Sequence, residues 1–337
     1  EGVLADGGSE FLDFVTEHPY RKYPEAPDYG EDVRALRRLI QRYKPELKHL
    51  ATEAGNVQPP LLPGNKMIDY VRISSARDLR NMLLGFGNGL SSYNQFAIVM
   101  WRSGIGWNCI YMGNRETNGA VMPAPLLFAM RNAADRIGDG SSAGRIKLGY
   151  NYRAFLFDKG RSRTAVLWKF SGGDALFQLK ADDAGKVRLY DMVGSRRNPG
   201  KSFSVGEFPV YLESELSASE LEALIRRAEI RETSGKSLRA EAQITAPDEF
   251  RVNCRNLGTK KLEGVRIRVE DRSMIAGPAE QRLPALNPEE LGSVSFRLKE
   301  RVSTTARKVA LSLLTPEGKT EGITLNLAAL TVPKSAK

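Results

Sequence analysis

The chain reads Asp13-Phe-Val-Thr-Glu-His18-Pro-Tyr20 and, after one intervening segment, Leu47-Lys-His-Leu-Ala-Thr-Glu53-Ala-Gly55. Each stretch is a short run that ends in polar residues, as β-strands do when they deliver side chains at their carboxyl ends. The segment between them, 32–43, carries apolar side chains at helical spacing. This order of strand, crossover helix and strand predicts a parallel α/β unit, the repeat of a (β/α)8 barrel.

Three polar side chains follow the two predicted strands. His18 and Tyr20 come at the end of the first strand, and Glu53 comes at the end of the second. Because the chemistry of such barrels sits where the strands end, we expect these three side chains to converge on one face. His49 lies in the middle of its strand, which favours an interior or helix-facing position.

The alternation continues downstream. The sequence predicts a helix over 75–85, a buried strand over 92–101 and a helix over 123–137 that opens with prolines. These segments bring the count to three strand-helix pairs, whereas a closed barrel has eight. Residues 1–140 are therefore predicted to form the C-terminal part of a (β/α)8 barrel.

The hydrophobic period changes to two from about residue 146. Short alternating segments predict a small antiparallel β-sandwich over 141–215, and an amphipathic helix over 217–230 is expected to act as a linker within 216–235. Residues 236–337 alternate strictly over five strands, which is typical of an immunoglobulin-like β-sandwich with Cys254 in its core. The predicted fold class is α/β plus all-β.

Composition narrows the class of protein. The 337 residues are 41% hydrophobic and 27% charged, as in ordinary globular proteins, and no run of eighteen apolar residues predicts a transmembrane segment. The net charge is +10, but basic and acidic residues are interleaved, so a mildly basic surface is favoured over a nucleic-acid groove. Two histidines are too few for a zinc site, and no metal or other cofactor is predicted. Cys109 and Cys254 are expected to be separate thiols.

At residues 13–20, 52–55 and 96–101 the sequence resembles the C-terminal half of a clan A glycoside hydrolase. The first segment resembles the sixth barrel strand with its His-x-Tyr end. The second, Thr52-Glu53-Ala-Gly55, is similar to the seventh strand, and the third, Phe96-Ala-Ile-Val-Met-Trp101, resembles the eighth. Segments 163–168, 187–191 and 208–211 are similar to the sandwich that follows the barrel. The resemblance covers roughly residues 10–215.

The resemblance implies a retaining hydrolysis of O-glycosyl bonds, in which Glu53 is the nucleophile. Tyr20 would hold the Glu53 carboxylate ionised and oriented, and His18 would add a donor near the subsite floor. Trp101 would present a ring face to a sugar, while Asn94 and Trp107 lie in the same mouth and are candidates for substrate contact. The implied substrate is a polysaccharide or oligosaccharide, and the implied location is secreted or periplasmic.

The second carboxyl group of the reaction is the element that departs from the clan pattern. In the clan it follows an asparagine, and no Asn-Glu dipeptide occurs in this sequence. Glu116 is a conceivable substitute, although a surface carboxylate is the commoner role for such a residue. We expect this chain by itself to lack the general acid, and a second chain or a missing N-terminal segment to complete the barrel.

Two hypotheses remain open from the sequence. The first is a retaining glycoside hydrolase of which this chain is a fragment or a processed piece. The second is a non-catalytic carbohydrate-binding or scaffold protein, in which the barrel remnant and the sandwiches only bind. The order of Tyr20, Glu53 and Trp101 favours the first, and the missing acid favours the second.

Overall fold

The structure is a computed structural model of the chain. It describes residues 1–21, 23–25, 28–55, 57–58, 65–96, 99–100, 106–107, 111–113, 121–200, 202–232, 238–246, 248–300, 307–314 and 320–327. These residues form a mixed α/β protein whose sheets are mostly antiparallel. None of the helices in the described part of the chain is long and apolar enough to span a lipid bilayer.

The chain divides into two compact units. The first comprises Glu1–Ile146 and Tyr152–Ser234, and the second comprises Lys147–Asn151 and Gly235–Lys337. The domain limits set from the sequence, at 140, 215 and 235, stay predictions.

In the amino-terminal part of the first unit, the described residues form four α-helices, a 3-10 turn at Gly8–Phe11 and a set of short strands. Its elements are α1 (Gly2–Ala5), β1 (Phe14–Glu17), α2 (Tyr29–Tyr43), β2 (Lys48–Ala54), β3 (Val57–Gln58), α3 (Asn65–Gly87), β4 (Ser92–Gln95), β5 (Val99–Met100), β6 (Gly106–Trp107), β7 (Tyr111–Gly113), β8 (Val121–Pro123) and α4 (Pro125–Arg136).

Strands β1, β2 and β4 form a parallel sheet in that order. The crossover helices α2 and α3 connect them, as the period of the sequence predicts. Helix α2 begins where the Asp28 carboxylate accepts a hydrogen bond from Gly30 N at 3.0 Å. Its Val33 packs with Ala51 of β2 and Leu79 of α3 in a fully buried core. The helices therefore cover one face of the sheet, while the assignment of this sheet to a barrel stays a prediction.

The rest of the first unit is antiparallel. Its elements are β9 (Ser141–Arg145), β10 (Tyr152–Asp158), β11 (Arg163–Lys169), β12 (Ala175–Gln178), α5 (Ala181–Ala184), β13 (Arg188–Tyr190), β14 (Arg196–Arg197), β15 (Ser202–Val205), β16 (Val210–Ser214), α6 (Ala218–Arg226) and β17 (Glu229–Glu232). They form a six-stranded sheet, β14-β13-β16-β11-β10-β9, and a three-stranded sheet, β15-β12-β17. Trp168, Phe155 and Tyr211 of the larger sheet belong to the same core as Ala51 and Leu79.

The described residues of the second unit form seven strands. They are β18 (Leu238–Ala246), β19 (Glu249–Asn256), β20 (Arg266–Val269), β21 (Glu280–Arg282), β22 (Leu291–Arg297), β23 (Arg307–Leu314) and β24 (Thr320–Leu327). Two antiparallel sheets, β18-β19-β22 and β21-β20-β23-β24, share one core around Phe250, Phe296 and Cys254. Cys254 is a free, buried thiol, as predicted, whereas Cys109 lies outside the described residues. The immunoglobulin-like topology stays a prediction.

Three predicted elements differ from the structure. The helix predicted over 75–85 is longer, because α3 already begins at Asn65. The predicted strand over 92–101 is divided, because β4 ends at Gln95 and β5 pairs with β7 in a separate sheet. The predicted helix over 217–230 ends at Arg226, and residues 229–232 form β17, which pairs with β12. The capping box between Ser217 and Glu220 begins this helix, and Leu221, Leu224 and Ile225 are buried. The helix is therefore packed into the first unit.

Candidate functional site

Tyr20, Glu53 and His18 come together at the ends of β1 and β2. The Tyr20 hydroxyl donates a hydrogen bond of 2.6 Å to Glu53 Oε2. His18 Nδ1 lies 3.8 Å from the same oxygen, and the His18 and Tyr20 rings are edge to face with centroids 6.4 Å apart. About half of the His18 and Glu53 side-chain surface is exposed, at 52% and 45%. The cluster is thus pre-formed and open to solvent.

A tight turn around Pro19 carries the two residues from β1. Tyr20 N donates to His18 O at 2.9 Å, which closes a three-residue turn with proline at its centre. Beyond the turn, Tyr20 pairs with Gly55 in a parallel bridge, so that it continues the line of the strand beside the end of β2. The turn and the bridge together fix the backbone position from which the Tyr20 side chain extends.

A β-bulge in β2 sets the direction of the Glu53 side chain. Ala51 pairs with Tyr93 and Ala54 with Gln95, so β2 has one more residue than β4 between these two pairs. Ala51 and Ala54 are three residues apart, and yet both lie in the helix-covered core. In a regular strand they would point to opposite faces. The extra residue turns Glu53 away from the helices and towards Tyr20, as bulges near functional sites commonly do.

Gly55 allows the strands to close beside this cluster. A Cβ atom at Gly55 would lie 2.6 Å from Phe96 O, closer than packing allows. Phe96 N donates to Ala54 O at 2.7 Å, and the Phe96 ring stands edge to face against Tyr20 at 6.4 Å. The Tyr20 ring is therefore flanked by the rings of His18 and Phe96, which limits the positions of its hydroxyl group.

The electrostatics of the pair keep Tyr20 in its neutral form. Burial, the hydrogen bond to Glu53 and the charge of Glu53 raise the pKa of Tyr20 to about 12. The phenol is therefore a proton donor to the carboxylate across the whole range in which a protein functions. A hydrogen bond given to a carboxylate stabilises its ionised form, which is the form that can act as a nucleophile.

A second polar cluster lies on the helix-covered face of the same strands. Tyr29 donates to Glu17 Oε1 at 2.7 Å, and His49 Nε2, fully buried, lies 3.1 Å from that oxygen. Burial acts to raise the pKa of Glu17, but His49 and Tyr29 outweigh it and lower the pKa. The interior position expected for His49 is confirmed. Its partner Glu17 was not singled out from the sequence, although both residues fit the alternation of a half-buried strand.

Helix α3 carries a row of buried polar residues under the site. Asn81 donates to Pro19 O at 3.0 Å and to the Tyr93 hydroxyl at 3.2 Å. Gln95 donates to Asp78 Oδ2 at 3.4 Å. This row was not predicted from the sequence, because Asp78 and Asn81 lie outside the apolar stripe of Leu79, Met82 and Leu83 and read as a solvent-facing side of the helix. The structure buries α3 on nearly all sides over 74–85.

The structure describes only some of the remaining predicted site residues. Asn94 is exposed on β4, the strand next to Glu53. The Trp107 backbone lies in β6, paired with Val57, while its side chain is outside the described part of the structure. Trp101 and Glu116 also lie outside the described residues. Among the residues that the structure does describe, no three His, Cys, Asp or Glu side chains are grouped as a metal site requires.

Comparison with known proteins gives weak structural similarity and no family. No family model matches the chain, and no curated protein matches it. Solved structures similar to it include a conserved exported protein from Bacteroides fragilis, with 13% identity, 60% of this chain and 46% of the other covered, and a TM-score of 0.46. A glycoside hydrolase family 30 subfamily 8 xylanase from Clostridium acetobutylicum has 14% identity, 64% and 52% coverage, and a TM-score of 0.41. A glycoside hydrolase family 86 β-porphyranase from Bacteroides plebeius has 10% identity, 98% and 66% coverage, and a TM-score of 0.42.

The chain spans about half the length of the first two of these structures, at 46% and 52%. Glycoside hydrolases are therefore among the structural neighbours, at low identity and partial coverage. TM-scores below 0.5 identify neither an activity nor a functional residue of this chain.

Proposed function

We propose that this chain carries the nucleophile of a retaining glycoside hydrolase, and that the nucleophile is Glu53. The observation that carries the proposal is the 2.6 Å hydrogen bond from Tyr20 to Glu53 Oε2, at the ends of parallel strands and on the side away from the helices. A half-exposed carboxylate oriented by a neutral phenol has the two properties that covalent glycosyl transfer needs, which are access to the substrate and a fixed direction of attack.

The two oxygens of Glu53 take different parts in this mechanism. Tyr20 and His18 both contact Oε2, so we assign the attack on the anomeric carbon to Oε1. A C–O bond forms between Oε1 and the sugar while the bond to the leaving oxygen breaks, and water later releases the sugar. Tyr20 holds the carboxylate through the cycle. The exposed His18 imidazole is placed to donate to the substrate at the subsite floor.

The rest of the proposed site extends from this pair. Asn94, exposed on the neighbouring strand, is our candidate for a sugar contact, together with Trp101 and Trp107. Glu17 is bound to Tyr29 and His49, so it is not our candidate for the second carboxyl group. We propose that this group comes from another chain or from a further segment that completes a (β/α)8 barrel. A polysaccharide or oligosaccharide substrate fits a secreted or periplasmic protein.

Covalent labelling tests the nucleophile without needing the general acid. Fluorinated glycosides with a dinitrophenolate leaving group react without protonation of that group, and the glycosyl-enzyme accumulates. We expect mass spectrometry of the whole chain, treated with a panel of such sugars, to place the label on Glu53. The Tyr20→Phe variant should be labelled about tenfold more slowly, the equivalent of about 1.4 kcal/mol for one hydrogen bond to a charged group.

Two matched variants control this experiment. Glu53→Gln should abolish the label, whereas Glu46→Gln, which changes an exposed carboxylate just before β2, should leave it unchanged. A label on another residue contradicts the proposal. Saccharide binding that survives Glu53→Gln, with no labelling by any sugar, would instead support the non-catalytic binding protein.

A further inference from the structure

Asn81 of α3 is a fully buried amide whose two N–H groups are both directed at the functional strands. One donates to Pro19 O at 3.0 Å and the other to the Tyr93 hydroxyl at 3.2 Å. Pro19 follows β1 and Tyr93 lies in β4, so a single side chain joins the two outer strands of the parallel sheet. A buried amide is costly unless it is hydrogen-bonded, and here both donors are used.

Strand β2 lies between β1 and β4 and has small residues in the core. Ala51 and Ala54 of β2 are fully buried and belong to the same core as Leu79 of α3, and their methyl side chains take up little space there. Tyr93 pairs directly with Ala51 in the sheet. The contact therefore depends on small residues in β2 and on the bulge that keeps both of them on the helix side.

Pro19 lies in the chain between His18 and Tyr20, the two residues whose side chains contact Glu53. Its neighbours His18 and Tyr20 are joined by the hydrogen bond from Tyr20 N to His18 O, and Pro19 itself is buried. Proline has a fixed φ and no N–H, so its carbonyl is the backbone group through which the rest of the protein can hold this turn. Asn81 binds that carbonyl.

From this arrangement we propose that Asn81 is a positioning residue, which holds the Pro19 carbonyl and so keeps the Tyr20 hydroxyl on Glu53. This inference deepens the proposed function and rests on it for its meaning, but the contact that it concerns can be measured without any substrate. Loss of the Asn81 donors lets the turn move, and the Tyr20 hydroxyl then separates from the carboxylate.

The ionisation of Tyr20 reports on this contact. In the native chain, burial and Glu53 raise the pKa of Tyr20 to about 12, from an ordinary value of 10.0. If Asn81 positions the turn, Asn81→Leu, which is close in shape, carries no charge and removes both donors, should lower the pKa of Tyr20 towards its ordinary value. Carbon-13 NMR of ring-labelled tyrosine, assigned with Tyr20→Phe, follows this ionisation as the pH is raised for as long as circular dichroism shows a folded chain.

Matched variants separate positioning from simple structural support. Tyr93→Phe removes the other acceptor of the same amide and should leave the Tyr20 titration as in the native chain. Asn81→Ser, which is smaller and too short to reach Pro19 O, should shift the titration as Asn81→Leu does, and it replaces that variant if Asn81→Leu fails to fold.

An unchanged Tyr20 titration in a folded Asn81→Leu or Asn81→Ser variant overturns the inference, and so does an equal shift in Tyr93→Phe. The labelling of Glu53 distinguishes this failure from that of the proposed function. Labelling with an unchanged titration removes only the role of Asn81. A shifted titration without any labelling retains that role and removes the glycosidase.

Discussion

At the scale of single residues, the Tyr20–Glu53 pair has a direct consequence for stability at high pH. Burial and Glu53 raise the pKa of Tyr20 in the folded chain to about 12, above the ordinary value of 10.0. The pair therefore stabilises the folded state fully below pH 10.0, and this contribution is lost as the pH rises through about 12.

Comparison of the native chain with Tyr20→Phe measures this contribution. We expect the variant to be less stable by about 1 kcal/mol at neutral pH, since both partners are partly exposed. Urea unfolding at a series of pH values should show the difference to be constant up to pH 10.0 and smaller above it. A difference that grows with rising pH would contradict the assigned direction of the pKa.

The residues of the site were predicted from the sequence to different extents. Tyr20, His18 and Glu53 could be found because polar groups at the ends of successive parallel strands must meet at one edge of a sheet. The separation of Glu53 from His49 could not be found in this way. The two residues are four apart, so a period of two places them on the same face, and only the extra residue in β2 puts them on opposite faces.

At the scale of elements, the loop between β1 and α2 is held by buried charges. Glu25 Oε1 lies 2.9 Å from Arg80 Nε of α3 and accepts a hydrogen bond of 2.8 Å from the Trp168 indole of β11. Close by, Arg153 of β10 donates to Asp28 at 2.7 Å. Glu25, Arg80 and Trp168 are all buried. These contacts tie the loop that begins with the site to the antiparallel part of the first unit.

Removal of one charge from this cluster should lower the free energy of unfolding strongly. Glu25→Gln removes the nearest counter-charge of the buried Arg80 guanidinium and leaves only Glu207, whose Oε2 is 3.9 Å away and partly exposed. Breaking a buried pair in this way costs about 3–5 kcal/mol. Urea unfolding, followed by tryptophan fluorescence, measures the change. The exposed Glu46→Gln control should change the unfolding free energy by less than about 0.5 kcal/mol. A loss below about 1 kcal/mol in Glu25→Gln would show that the cluster does not stabilise the fold.

The elements that the sequence did not predict are those decided by distant partners. Residues 229–232 follow directly on α6, but they form β17 because β12 offers an edge with which they can pair. The β5 strand likewise leaves the line of β4 to pair with β7. Helical period and strand period are local signals, whereas the choice of a pairing edge depends on residues far away in the chain.

At the scale of the whole molecule, each of the two units has a core of its own. The first unit is built around Leu79, Phe155 and Trp168, and the second around Phe250, Phe296 and Cys254. Burial raises the pKa of the Cys254 thiol to about 12, so the reactive thiolate is scarce while the second unit is folded. The thiol is thus a specific reporter of that unit.

This reporter leads to a prediction about the independence of the two cores. In a Cys109→Ser background, Val252→Ala should speed the reaction of Cys254 with a thiol reagent about tenfold or more, because it weakens the surrounding core by about 1–3 kcal/mol. Val166→Ala makes the same change at a fully buried site of the first unit and should leave the rate as it was. Equal acceleration by both variants would mean that the units unfold together.

The additional residue in β2 also has consequences for sequence alignment and for mutagenesis of this chain. An alignment gap of one position between Ala51 and Ala54 would hardly change the alignment score. It would nevertheless place Glu53 on the face of the sheet that the helices cover. Deletion of one codon from this stretch would restore the regular alternation of β2, so that the Glu53 carboxylate would point into the apolar core and lose its contact with Tyr20.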